Sequence, residues 1–159
     1  MFRGVLLVLA ISLLIGCDKS SSTPGVAWIA DDDPKMTAAI EEARRTAPTF
    51  TAALRTPKSR QSGFSVKMPF TDGANTEHMW VTPVTFDGKK FNGVVNNAPE
   101  RLTNVKIGDQ ASANQSEISD WMFVDDGKLV GGYTLRVLRD SLPDDERAEF
   151  DGSLPFVIE

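Results

Sequence analysis

A single cysteine and a single histidine in 159 residues remove several kinds of chemistry at the outset. One cysteine forms no internal disulfide. One cysteine with one histidine falls short of the usual zinc ligand sets, and the spacing of the carboxylates suggests no site that they would complete. The expectation is therefore no metal and no cofactor. A basic excess is missing too: 17 Lys and Arg face 22 Asp and Glu, for a net charge of −5. Nucleic acid selects a basic patch or stripe and is excluded as a partner on that ground. Adhesion to anionic headgroups by charge alone is disfavoured in the same way. No apolar run reaches the roughly 20 residues of a membrane-spanning helix. Residues 34–159 also lack a Gly-x-Ser-x-Gly elbow and a Ser-x-x-Lys arrangement. Gly131-Gly132-Tyr133-Thr134 lacks the Lys-Ser/Thr pair of a phosphate loop and reads as a tight entry to a helix.

What is present starts at the N-terminus. Arg3, a mainly apolar run over residues 5–15, and the small Gly16 before Cys17 describe a secretory signal peptide over residues 1–16. Leu14-Ile15-Gly16-Cys17 resembles the lipobox of bacterial lipoprotein precursors, which makes Cys17 the expected lipid attachment site. Each acyl methylene that enters a bilayer contributes about 0.8 kcal/mol, so several chains make attachment effectively permanent. The expected location is the bacterial cell envelope, with the protein lipid-anchored and facing the periplasm. Asp18 resembles an inner-membrane retention signal, but Lys19 after it leaves the choice of membrane open. Cleavage would remove Arg3 and take the net charge from −5 to −6.

Residues 17–33 form the lipidated cysteine and a flexible tether, polar around Ser20-Ser21-Ser22-Thr23-Pro24-Gly25. Asp33 reads as the cap of a helix that starts at Pro34. Met36, Ile40, Ala43, Ala47, Phe50 and Leu54 give that helix one apolar stripe, and Pro48 is expected to kink it or start a second segment. From Phe64 the period becomes two, which predicts a strand over 64–70, a second over 77–86 and a third over 91–95. Pro83 places part of the second strand at an edge or a bulge. Residues 105–111 are a weaker strand, and 118–124 and 129–130 form a pair around an Asp-Gly turn. Leu135, Leu138 and Leu142 suggest a helix, and Pro143 opens a short last one. The sum is a single α+β domain over 34–159: a kinked N-terminal helix packed on an antiparallel sheet of about five strands, with one or two C-terminal helices.

Catalytic candidates are few. His78 needs an acid to orient it, and Asp72, Glu77 and Asp120 are the carboxylates to consider. Glu77 is its chain neighbour and points to the other face of a strand. His78, Trp80, Trp121 and Tyr133 together form the candidate binding surface, because aromatic groups with polar handles suit recognition; they also suit ordinary cores, the reading that aromatic residues more often bear out.

Several motifs in order resemble one bacterial family. They are Met36-x-x-Ala39-Ile40-x-x-Ala43-Arg44, Glu77-His78-x-Trp80-Val81-Thr82-Pro83, Phe91-x-Gly93 and Asn97-x-Pro99. Ile118-Ser119-Asp120-Trp121, Gly127-Lys128 and Gly131-Gly132-Tyr133-Thr134 continue the series. The chain is similar over residues 30–142 to the YegJ-like proteins of the DUF2314 family, a domain of unknown function. The resemblance implies a single domain and carries over no catalytic residue. The expected function is a membrane-anchored binding or interaction module with an unidentified protein or small-molecule partner. The alternatives are a small hydrolase-like envelope enzyme using His78 with a carboxylate, and an immunity-like inhibitor.

Overall fold

A computed structural model describes residues 33–159; the expected signal peptide, Cys17 and nearly all of the expected tether lie outside the described residues. Helix α1 spans Pro34–Arg55. Asp33 caps it, its carboxylate accepting the amide N–H of Lys35 at 2.8 Å and of Met36 at 3.2 Å. The helix continues through Pro48 as one element, so no second segment starts there. Its buried face carries Ala39, Ala43, Ala47, Phe50 and Thr51.

Six strands follow: β1 (Gln61–Asp72), β2 (Asn75–Phe86), β3 (Lys90–Val95), β4 (Gln110–Asn114), β5 (Asp120–Asp125) and β6 (Lys128–Gly131). They form one open sheet in the order β4-β3-β2-β1-β5-β6, every neighbouring pair antiparallel. Helices α2 (Tyr133–Ser141) and α3 (Asp144–Ser153) close the chain. The fold is α+β as the pattern predicts, with six strands instead of about five. The weak strand expected at 105–111 forms later, because residues 102–109 leave the sheet and Leu102 is buried.

Pleating divides the sheet into two faces. Val66 faces Val81 on one side and Trp121 on the other, and Met68 faces Met79. These side chains join Ala43, Ala47 and Phe50 of α1 in the core. Phe50 is its hub, with ring centroids 5.4 Å from Trp121, 5.7 Å from Phe91 and 5.9 Å from Phe64. Burying each such aromatic contributes on the order of 2–3 kcal/mol. Pro83 lies in an interior strand, at the register shift between Val81 and Val84, so the bulge half of the expectation holds and the edge half does not. That bulge pushes the Pro83 carbonyl against β3. A Cβ on Gly93 would meet this oxygen at 2.4 Å, which is why glycine occupies the position.

Candidate functional site

Residues between the core positions of β1, β2 and β5 point to the opposite face of the sheet. Lys67 faces Trp80 on one side and Asp120 on the other, and Pro69 faces His78. The Lys67 ammonium stands 5.7 Å from the centroid of the half-buried Trp80 ring, a cation–π distance. It also donates to Thr134 Oγ1 at 3.4 Å. His78 Nδ1 and Ser119 Oγ share a hydrogen bond of 2.5 Å, and Ser119 N–H donates to Lys67 O at 2.8 Å. The loop after β3 completes one border, where Asn97 Oδ1 accepts Trp80 N–H at 2.8 Å. The result is a polar and aromatic patch on the face away from α1.

The four proposed surface residues therefore separate. His78 and Trp80 share the open face. Trp121 is 1% exposed and belongs to the core, its indole N–H donating to Ala43 O at 2.9 Å. Tyr133 packs edge-on against Trp121, with centroids 5.7 Å apart, and is half-buried at the start of α2. The polar handle of Trp121 is thus consumed by a helix carbonyl.

Each carboxylate considered for catalysis has a structural engagement. Asp72 accepts Thr103 N–H and Oγ1–H at 3.0 and 2.6 Å, bonds that hold its carboxyl below the ordinary range. Glu77 lies on the core face and accepts the amide N–H of Glu100, Arg101 and Leu102 at 2.8, 2.5 and 3.1 Å. Burial alone would raise its carboxyl, but these three amides and the Arg101 charge bring it below the usual value. Asp120 is fully buried, and its two oxygens accept Trp121, Tyr133 and Thr134 N–H plus the Thr134 hydroxyl. Burial pushes its carboxyl up, with those donors and Lys67 pulling the other way.

The Ser119–His78 pair differs from a hydrolytic arrangement in two respects. A triad serine bonds to Nε2 and leaves Nδ1 for the orienting acid, whereas here Nδ1 takes the serine. Ser119 is also 1% exposed, so a substrate carbonyl has no path to its Oγ. Among the described residues, no group of three His, Cys, Asp or Glu is placed to hold a metal ion. No described helix is long and apolar enough to cross a membrane. Sequence reasoning missed Lys67 and Ser119. Their signal was slight: Lys67 alternates with core residues in β1, and Ser119 precedes β5 within the Ile118-Ser119-Asp120-Trp121 motif.

An α+β domain with a helix on one face of an antiparallel sheet and a polar, aromatic patch on the other is the class these features define. The chain belongs to the family described as "Uncharacterized protein conserved in bacteria (DUF2314)", whose model matches residues 33–156. It is 37% identical over 123 residues to "Uncharacterized protein YegJ" of Escherichia coli (strain K12), covering 77% of this chain and 79% of that protein. It is also 37% identical over 134 residues to a protein of Neisseria meningitidis serogroup B named as an ankyrin repeat protein, covering 79% of this chain and 53% of that one. No solved structure gives a significant match.

Proposed function

We propose that this protein is a binding module of the bacterial envelope, anchored through a lipid on Cys17, which recognises a partner with the open face around Trp80, His78 and Lys67. One observation carries the recognition half: a half-buried tryptophan with an ammonium over its ring, on the sheet face away from α1. Tryptophan and cationic anchors bordered by polar groups are the usual makings of a binding hot spot. The lipobox-like Leu14-Ile15-Gly16-Cys17 supports the anchoring half. Ankyrin repeats are extended binding scaffolds, and the name of the Neisseria relative accords with an interaction role.

Placing a photo-crosslinking residue at position 69, the exposed cross-strand neighbour of His78, in growing cells tests the recognition half. A discrete adduct should form, and Lys67→Ala should suppress it. Labelling with an alkynyl fatty acid tests the anchor, with incorporation expected in the parent chain and lost in Cys17→Ser. A clean chain at position 69, or an adduct indifferent to Lys67→Ala, would sink the proposed surface. If the adduct is a toxin encoded beside this gene, the module is an inhibitor of the immunity type.

A further inference from the structure

A shallow depression of about 630 Å³ opens beside α1, bordered by the β2–β3 and β4–β5 turns. Arg44, Arg45, Lys89, Asn114, Gln115 and Ser116 line it. Three cations line it and, among the described residues, no carboxylate does, although acidic residues outnumber basic ones in the chain, 22 to 17.

Two carboxylates adjacent to the lining in sequence are already bonded. Glu117 accepts the Asn114 N–H and Nδ2–H at 2.7 and 2.8 Å, which folds it into its own turn. Glu42 grips Arg45 through two bonds of 2.8 and 2.5 Å, partly neutralising that wall. Arg44 is different. Its Nε donates to Ile118 O at 2.8 Å, which fixes the plane of the guanidinium and leaves both Nη groups without a partner among the described residues. The Lys89 ammonium, the Gln115 amide and the Ser116 hydroxyl likewise have no partner among the described residues. A planar, pre-oriented guanidinium with a second cation and neutral donors is the chemistry that selects oxyanions. The volume falls within the range of small-molecule sites.

We propose that this depression binds a small, multivalent oxyanion bearing phosphate or carboxylate groups, clamped by Arg44 and Lys89 with Gln115 and Ser116 as neutral donors. A lipid headgroup shares this chemistry, and titration with vesicles separates it from a free anion. The site is separate from the open face, which carries Trp80 and His78, so the two readings stand or fall independently.

The purified full chain, isotopically labelled, is titrated with pyrophosphate, with citrate, and with vesicles containing phosphatidylglycerol. Backbone amide shifts of Lys89, Asn114, Gln115 and Ser116 are followed. A saturable shift of these four amides is expected with pyrophosphate or citrate, above that from sodium chloride of equal ionic strength. Arg44→Gln should weaken binding about ten-fold and Lys89→Gln about five-fold. Lys89 sits on an exposed turn, so its variant stays informative even if loss of the Arg44–Ile118 bond unfolds the other. Shifts no larger than those from salt, equal affinity in Lys89→Gln, or a response to the vesicles alone would each overturn the proposal.

Discussion

Asp120 caps a helix to which it does not belong. Its carboxylate reaches from the start of β5 to the first turn of α2, taking Thr134 N–H at 2.8 Å and Thr134 Oγ1–H at 2.7 Å. The residue before α2 is Gly132, which has no side chain to cap it, so the function passes to a residue distant in sequence. Sheet and helix are joined at this point, on the same face of the sheet as Lys67 and Trp80.

Replacing Asp120 with alanine is expected to cost about 2–4 kcal/mol, since four donors lose their acceptor inside the protein. Asparagine should cost about 1–3 kcal/mol, because one oxygen becomes a donor facing other donors. The pH dependence has a definite sign. With the native carboxyl raised by burial, its stability contribution is full below the unfolded value of about 3.9 and is lost as pH rises through the native value. Urea melts from pH 3.5 to 7 should show the advantage of the parent over Asp120→Asn shrinking as pH increases. An advantage that grows with pH would mean that the donors outweigh burial.

Glu77 has the opposite sign. Its native carboxyl lies below the ordinary range, so its contribution is present above about pH 4.3 and is lost as pH falls through the native value. Glu77→Gln should cost about 1–2 kcal/mol at neutral pH and flatten the acid limb of the stability profile. Amide exchange at Glu100, Arg101 and Leu102 should accelerate in the variant, because these N–H groups donate to the replaced carboxylate. Unchanged exchange at all three would disprove the anchoring role.

Gly131 has φ of +76°, and a Cβ there would stand 2.3 Å from Trp121 O and 2.6 Å from the Trp121 ring. Gly131→Ala should therefore cost at least about 2–4 kcal/mol. Gly73 is also left-handed, at φ +60°, but has open space around it, and its alanine variant should cost only about 1–2 kcal/mol. Thermal or chemical melts of the two variants separate crowding from backbone strain; equal losses would argue against the Trp121 contact.

The two tryptophans of the sheet should behave as different kinds of residue. Trp121→Ala empties a core position and should destabilise by about 3–5 kcal/mol. Trp80→Ala should change stability by less than about 1.5 kcal/mol and act instead on partner capture. Melts of both variants check this, and a Trp80→Ala loss as large as that of Trp121→Ala would reassign Trp80 to packing.

Local order was legible where chemistry repeats along the chain. Asp33-Pro34 marks its helix start through a cap and a fixed φ, and the alternation of Phe64, Val66 and Met68 marks a half-buried strand. The site was less legible because register and strand order decide it. Trp80 and Trp121 look alike in sequence, each among polar neighbours, yet pleating sends them to opposite faces of one sheet. Lys67 gained meaning only once β2 and β5 stood on either side of it. The displaced β4 was missed because Gln110–Asn114 is a weakly apolar edge strand, held by pairing with β3 more than by its own composition.

The central place of β1 also bears on how the chain reaches this structure. Strands β1 to β4 are added in sequence by neighbouring pairings, whereas the other side of β1 waits for β5, some fifty residues downstream. Until Asp120–Asp125 arrives, β1 is an edge with open amides and carbonyls. The same strand that organises the finished sheet is thus open to pairing with another copy until β5 covers it.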